Sequence, residues 1–218
     1  MSSSSSSGNR PFATLRQFIR ERVPVEVCEM CSANLAAEHQ HLIDPSSRKL
    51  ICACDACAIL FDTQAETKYK RVPRRIRFLP NFRLTDAQWE SLMIPINMAF
   101  FFHNAASGQV VALYPSPAGP TESLLGFDSW EEIAESNPLL KKMEPDVEAL
   151  LVNRIASARG YASAEYYIVP IDECYKLVGL IRAHWRGLSG GSKVWEEIAE
   201  FFAGLKKRSV SAGDGSHA

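Results

Sequence analysis

The stretch CEMCSANLAAEHQHLIDPSSRKLICACDAC, residues 28–57, decides the fold of the first part of this chain. It holds five of the six cysteines and two of the five histidines of the 218-residue sequence. Clustered cysteines in a chain whose start lacks the apolar core of a signal peptide favour metal binding over disulfides. The stretch therefore predicts a structural metal site.

The spacing within this stretch predicts its shape. Cys28 and Cys31 suit a tight turn whose backbone amides face the sulfurs, as in a zinc knuckle. Residues 39–44 and 49–53 have strand patterns on either side of a turn, and residues 54–57 would open a helix. Free amides and the helix dipole favour thiolates at that position. Knuckle, hairpin and ligand-bearing helix together predict a small treble-clef-like module.

Two cysteine pairs supply the predicted metal ligands, which are Cys28, Cys31, Cys54 and Cys57. Four thiolates match the tetrahedral preference of zinc, and metal binding can supply most of the folding energy of a small module. Thiolates also bind iron, so an iron or iron–sulfur centre is the alternative.

The stretch offers more ligands than one ion needs. Cys52 could replace Cys54, or it could be a buried thiol that only fills space. His39 and His41 share one face of the first strand and could also substitute for a ligand. Histidines on such a hairpin also occur in HNH nucleases, whose second metal needs a histidine on the helix, and the sequence after Cys57 has none. The simpler hypothesis is that His41 donates a hydrogen bond near the metal.

Composition bounds the class of protein. Apolar residues make up 46% and charged residues 22%, and no run approaches the roughly 18 apolar residues that span a membrane. We therefore expect a cytoplasmic protein without a membrane span.

Residues 1–84 carry 13 Lys/Arg against 8 Asp/Glu, whereas residues 85–218 carry 11 against 17. This asymmetry predicts a basic module joined to an acidic one.

We divide the chain into four segments. Residues 1–10 are predicted to be a disordered tail, 11–67 a helix plus the zinc module, 68–207 an α+β domain, and 208–218 a second disordered tail.

The run from Lys68 to Phe78 contains six basic residues. It suggests nucleic-acid binding, or a linker and strand with its charges in solvent, and the acidic net charge favours the second.

The larger domain alternates strand and helix signals. Strands are predicted over 94–103, 109–114, 147–155 and 165–169, although 147–155 also fits a helix; later helices are predicted over 172–185 and 192–205. The segment Pro115–Pro120 is predicted to be a loop because of its prolines. Short connections between adjacent strands favour a mainly antiparallel α+β sheet with packed helices.

Polar groups of the larger domain give no catalytic assignment. The loop Gly187–Lys193 precedes a helix, where backbone amides can hold an anion, but it lacks the Walker pattern. Cys174 and His184 lie too far apart on one helix to share a metal. His103 is a lone histidine at a strand end, and the carboxylates around Glu144 also fit an ordinary helix start. We assign no catalytic residue.

Seven blocks carry a resemblance to a known family: CEMC, HQHLIDP, CACDACAILF, ALYPSPAGPTES, EPDVEALLVNR, VPIDECYKLVGLIRAHWRGLSGG and VWEEIAEFF. Across residues 25–206 the chain resembles an uncharacterised bacterial family encoded near actinobacterial-type, oxygen-insensitive nickel-iron hydrogenases. The resemblance implies an accessory role in assembling or maturing such a hydrogenase, with a hydrogenase subunit or maturation factor as protein partner. An iron-binding or electron-transfer accessory is one alternative, and a nucleic-acid-binding zinc protein is another.

Overall fold

The computed structural model describes residues 26–62, 68–123, 127–155 and 163–211. The predicted tail of residues 1–10 and the predicted helix that follows it lie outside the described residues. Within the described ranges, no helix combines the length and the apolar character that crossing a membrane requires.

The first module is built as its spacing predicts. A hairpin of β1 (Gln40–Asp44) and β2 (Lys49–Ala53) is followed by α1 (Asp55–Asp62) and by the short strand β3 (Lys70–Arg71). These strands form a three-stranded antiparallel sheet in the order β2-β1-β3, which we call the small sheet. One of its faces packs on α1 and on the knuckle through a small apolar cluster, whose buried members are Cys28, Leu42, Ile51, Ala53 and Ala58.

The second module is a seven-stranded sheet, which we call the large sheet. Its elements in chain order are β4 (Arg77–Phe78), α2 (Asp86–Ser91), β5 (Met98–Asn104), β6 (Gln109–Ser116), β7 (Gly119–Glu122), α3 (Phe127–Ser136), a 3-10 helix (Pro138–Lys142), β8 (Glu148–Asn153), β9 (Glu165–Pro170), α4 (Ile171–His184), α5 (Gly191–Arg208) and β10 (Val210–Ser211). The strand order is β10-β4-β9-β8-β5-β6-β7. All neighbours are antiparallel except β10 and β4. The predicted α+β class is confirmed.

Both faces of the large sheet are covered by helices. Successive side chains of a strand point to opposite faces, so Phe100 and Phe102 of β5 join the cluster beneath α4 and α5. Ala99 and Phe101 join the cluster beneath α2 and α3. The central strands are therefore apolar on both faces, which explains why 147–155 could not be separated from a buried helix by its pattern. The structure makes that segment the strand β8.

The prediction of a loop over Pro115–Pro120 is wrong. β6 continues through Ser116, β7 begins at Gly119, and the register pairs Ser116 with Gly119 and Pro115 with Pro120. In a two-residue hairpin the second pair from the turn exchanges no backbone hydrogen bonds, so it tolerates two residues without N–H groups. β7 is also an edge strand, where proline is accepted.

The two modules share part of their core. Ile43 of β1 and Val72 belong to the same buried cluster as Leu177 of α4. The short strand β3 lies beyond residue 67, the predicted end of the first module. The short strand β10 lies beyond residue 207, the predicted end of the α+β domain. The division of the chain into domains remains a prediction.

Candidate metal centre

The knuckle places the first cysteine pair. Cys28 N donates to Ala33 O at 2.8 Å, and Ser32 N donates to Cys28 O at 2.8 Å. Ser32 adopts a left-handed conformation with φ 62°, and an isolated bridge pairs Val27 with Asn34. This tight turn lets backbone amides approach the sulfur of Cys28.

The second pair stands at the start of α1. Cys54 immediately precedes the helix, and its carbonyl accepts a hydrogen bond from Ala58 N at 2.9 Å. Cys57 follows in the first turn, where backbone N–H groups have no partner within the helix. The positive end of the helix dipole acts in favour of a thiolate there, but burial of Cys57 has the opposite and larger effect in the absence of a metal ion.

The four predicted sulfurs come together in one cluster, which we call the four-sulfur cluster. The sulfurs of Cys28, Cys31, Cys54 and Cys57 all lie within 4.8 Å of one another, and those of Cys31 and Cys54 are 3.7 Å apart. A tetrahedral zinc ion with bonds of about 2.3 Å would separate its sulfurs by about 3.8 Å. All four are free thiols. The cluster therefore fits a metal ion of zinc size.

The sulfurs differ in how readily they ionise. Burial acts to raise the pKa of Cys28, but the backbone amides of Cys54, Cys31 and Met30 point at its sulfur, and together they lower the pKa to about 6. Burial, reinforced by the three neighbouring sulfurs, raises the pKa of Cys57 to about 12. One thiolate thus forms easily and further ionisation is resisted. A divalent cation would remove that resistance by balancing the negative charge.

The surplus ligands of the sequence lie elsewhere. Cys52 is not part of the four-sulfur cluster and instead groups with His39 and His41. His41 does not hydrogen-bond to the cluster: its Nδ1 lies 2.7 Å from Oδ2 of Asp172 on α4. No signal in the sequence could pair His41 with a carboxylate 131 residues away.

The basic stretch and the acidic cluster, which the sequence presents separately, pair with each other in the structure. Nζ of Lys70 lies 2.6 Å from a carboxylate oxygen of Asp146. The guanidinium groups of Arg75 and Arg77 contact the fully buried carboxylate of Glu148 at 2.9 and 3.0 Å. These cations therefore tie β3 and β4 to the start of β8.

The other polar groups that the sequence singles out in the larger domain lie in turns, in the core or at helix and strand ends. Gly190 and Arg186 form a β-bridge in the turn between α4 and α5, and anion binding at this loop stays a hypothesis. Cys174 is fully buried in the core, and burial raises the pKa of its thiol well above the ordinary value. His184 Nδ1 lies 3.1 Å from Leu180 O. His103 is half-buried near the ring of Trp130.

Comparison with protein families gives a match over most of the chain. Residues 27–209 match the model of a family of unknown function (DUF5947), and the chain belongs to that family. The match covers every element described above except β10. Comparison with curated proteins and with solved structures gives no significant match.

Proposed function

We propose that this member of a family of unknown function is a non-catalytic metal-binding accessory protein whose four-sulfur cluster holds a structural zinc ion. One observation carries the proposal: four sulfurs lie within 4.8 Å of one another and would fill all four positions of a tetrahedral ion. An ion with four protein ligands has no position for water or substrate, so it contributes folding energy rather than catalysis.

The metal content of the purified protein tests the first part of the proposal. We expect about one tightly bound zinc per chain, held by thiolates. Tightly bound iron with visible thiolate charge-transfer absorption would contradict the zinc assignment and support the iron-binding or electron-transfer alternative. Expression in medium that contains both metals keeps the comparison fair.

The resemblance described above supports the finer proposal. We propose that the protein acts in the cytoplasm and supports assembly or maturation of a nickel-iron hydrogenase by contacting a hydrogenase subunit or a maturation factor. The partner would bind to the surface of the folded chain, and the metal ion in the four-sulfur cluster would stabilise the fold of the first module.

Co-elution with the separately purified hydrogenase subunits and maturation factors of the same gene cluster tests the partner. Ile59 and Leu60 of α1 are 54% and 53% exposed, so the double variant I59S/L60S changes the surface of the first module and leaves the core intact. We expect it to weaken the complex at least tenfold, whereas L188S, at a fully exposed loop position, serves as the control. Failure of every such protein to form a complex would contradict the hydrogenase proposal.

Nucleic-acid binding gains no support from the basic stretch. Lys68, Lys70, Arg75 and Arg77 each lie within ion-pair distance of a carboxylate. Phosphate groups would have to compete with these carboxylates. Steeply salt-dependent affinity for DNA or RNA would be needed to revive this function.

A further inference from the structure

A second set of ligand atoms lies on the face of the small sheet opposite the four-sulfur cluster. Leu42, Ile51 and Ala53 face the cluster side, and alternation along the strands places His41 and Cys52 on the other side. The register pairs His41 directly with Cys52. His39 precedes His41 by two residues, and one ligand atom from each of the three residues lies within 4.8 Å of the other two.

The two histidines are held in the same tautomer. His41 Nδ1 lies 2.7 Å from Asp172 Oδ2, and His39 Nδ1 lies 3.0 Å from Ala36 O. Carboxylate and carbonyl oxygens only accept hydrogen bonds, so both Nδ1 atoms carry the proton. The lone pair is then on Nε2 in each ring. Metal-binding histidines are oriented in this way by a carboxylate or a backbone carbonyl.

The Nε2 atom of His39 has no other use in the described part of the chain. The His39 side chain is only 8% exposed, and its Nε2 is buried without a hydrogen-bond partner among the described residues. A buried polar atom without a partner is costly. An ion bound at Nε2 would satisfy it.

We propose that His39, His41 and Cys52 bind a divalent transition-metal ion such as Zn²⁺, at a site separate from the four-sulfur cluster. Imidazole and thiolate ligands suit zinc and its neighbours in the first transition row. Tetrahedral bonds of about 2.0–2.3 Å would place the ligand atoms about 3.3–3.8 Å apart, which is compatible with three ligand atoms that lie within 4.8 Å of one another. Asp172 positions His41 without touching the ion.

The donor set distinguishes this site from the closed cluster. Three protein ligands leave one coordination position for water or an exchangeable ligand. Both histidines also line a cleft of about 590 Å³ between the small sheet and α4. The ion at this site is therefore exchangeable, in contrast to the ion of the four-sulfur cluster.

Cobalt titration of the full chain, stripped of metal under reducing conditions, tests the proposal. Equilibrium dialysis counts bound Co²⁺, and visible absorption reports thiolate coordination. We expect two equivalents in the wild type and one in H39Q/H41Q, while D172A weakens the second equivalent by about 10- to 100-fold and leaves the first unchanged. H184Q is the control for loss of a histidine outside the site, and it should keep both equivalents.

Each outcome decides between the two sites. A wild type whose single bound equivalent shows four-thiolate absorption, or an H39Q/H41Q variant that keeps two equivalents, overturns the second site. A wild type that lacks any equivalent with four-thiolate absorption would instead contradict the proposed function. If H39Q/H41Q fails to fold, D172A decides, because it leaves all three ligands in place: unchanged affinity for the second equivalent would overturn the inference.

Discussion

At the residue scale, two glycines in the turn from α4 to α5 have different reasons to be glycine. Gly190 has φ 86°, and a Cβ there would lie 2.8 Å from Cγ1 of Val194 and 3.1 Å from the Trp185 ring. Gly187 has φ 62°, and a Cβ there would meet no atom within 4 Å. Only Gly190 therefore combines backbone strain with a steric requirement.

Replacing Gly190 by alanine should destabilise the protein more than replacing Gly187. We expect G190A to lower the free energy of unfolding by about 2–4 kcal/mol, through strain and displaced side chains. G187A should cost about 1–2 kcal/mol, through the left-handed backbone alone. Urea denaturation of both variants measures the difference. Equal losses of unfolding free energy would contradict this prediction, because the side chains of Val194 and Trp185 would then move aside without an energetic cost.

His103 should give the stability of the protein a pH dependence below neutrality. Burial lowers the pKa of His103 below its ordinary value, although the Leu140 backbone opposes this. The unfolded chain then binds a proton that the folded chain resists, so the free energy of unfolding should fall as the pH drops below about 6.5. H103Q should flatten this fall in urea titrations between pH 7.5 and 5.5. An identical slope in the variant would contradict the assignment.

Residue types and spacing predict some of the candidate sites but not others. The four sulfurs of the cluster come together as their CxxC spacing predicts, because both pairs lie in local turns. The environment of His41 depends on Asp172, which arrives from another module. Spacing cannot reveal such a contact, since it depends on how the small sheet packs against α4.

At the element scale, β4 is held by charge as well as by its two-residue ladder. The carboxylate of Glu148 is fully buried and accepts hydrogen bonds from Arg75, Arg77 and the backbone N–H of Glu144. The hydrogen bond from Arg75 to Glu148 raises the pKa of the Arg75 guanidinium. Removal of one member of such a network leaves buried charge without a partner.

Loss of the Glu148 carboxylate should therefore detach β4. We expect E148A to lower the free energy of unfolding by about 3–5 kcal/mol. E144A is the matched control, because its carboxylate pairs with Arg75 but is 53% exposed, and we expect a loss below about 1 kcal/mol. Chemical denaturation compares the two variants. A small effect of E148A would show that β4 does not depend on the network.

Turn and helix-start signals predict the bounds of some strands well. β2 has the predicted bounds, Lys49–Ala53, because a turn precedes it and the start of α1 follows it. The hairpin over Pro115–Pro120 is missed because its proline content indicates a loop. Only the register shows that Pro115 and Pro120 lie opposite each other, at a position where the two strands exchange no backbone hydrogen bonds. Strand pairing is a long-range property that composition does not contain.

At the scale of the whole molecule, the two modules support each other. Ile43 and Val72 bury their side chains in the core of the large sheet. Lys70 binds Asp146, and His41 binds Asp172, across the same junction. Loss of structure in the first module should therefore weaken the large sheet without removing its own core.

Metal removal should expose this coupling. We expect chelation under reducing conditions to lower the melting temperature of the whole protein while most far-UV circular dichroism remains at room temperature, because the large sheet keeps its central strands. Calorimetry with and without zinc measures the shift. A melting temperature that does not respond to chelation would contradict a structural role for the metal.

The central claim is that Cys28, Cys31, Cys54 and Cys57 hold one structural ion. The most direct measurement is the zinc content of cysteine-to-serine variants after dialysis against a chelator that strips weaker sites. The wild type and C52S should each retain about one zinc per chain, and C54S should retain none. Zinc retained by C54S and lost by C52S would contradict the claim.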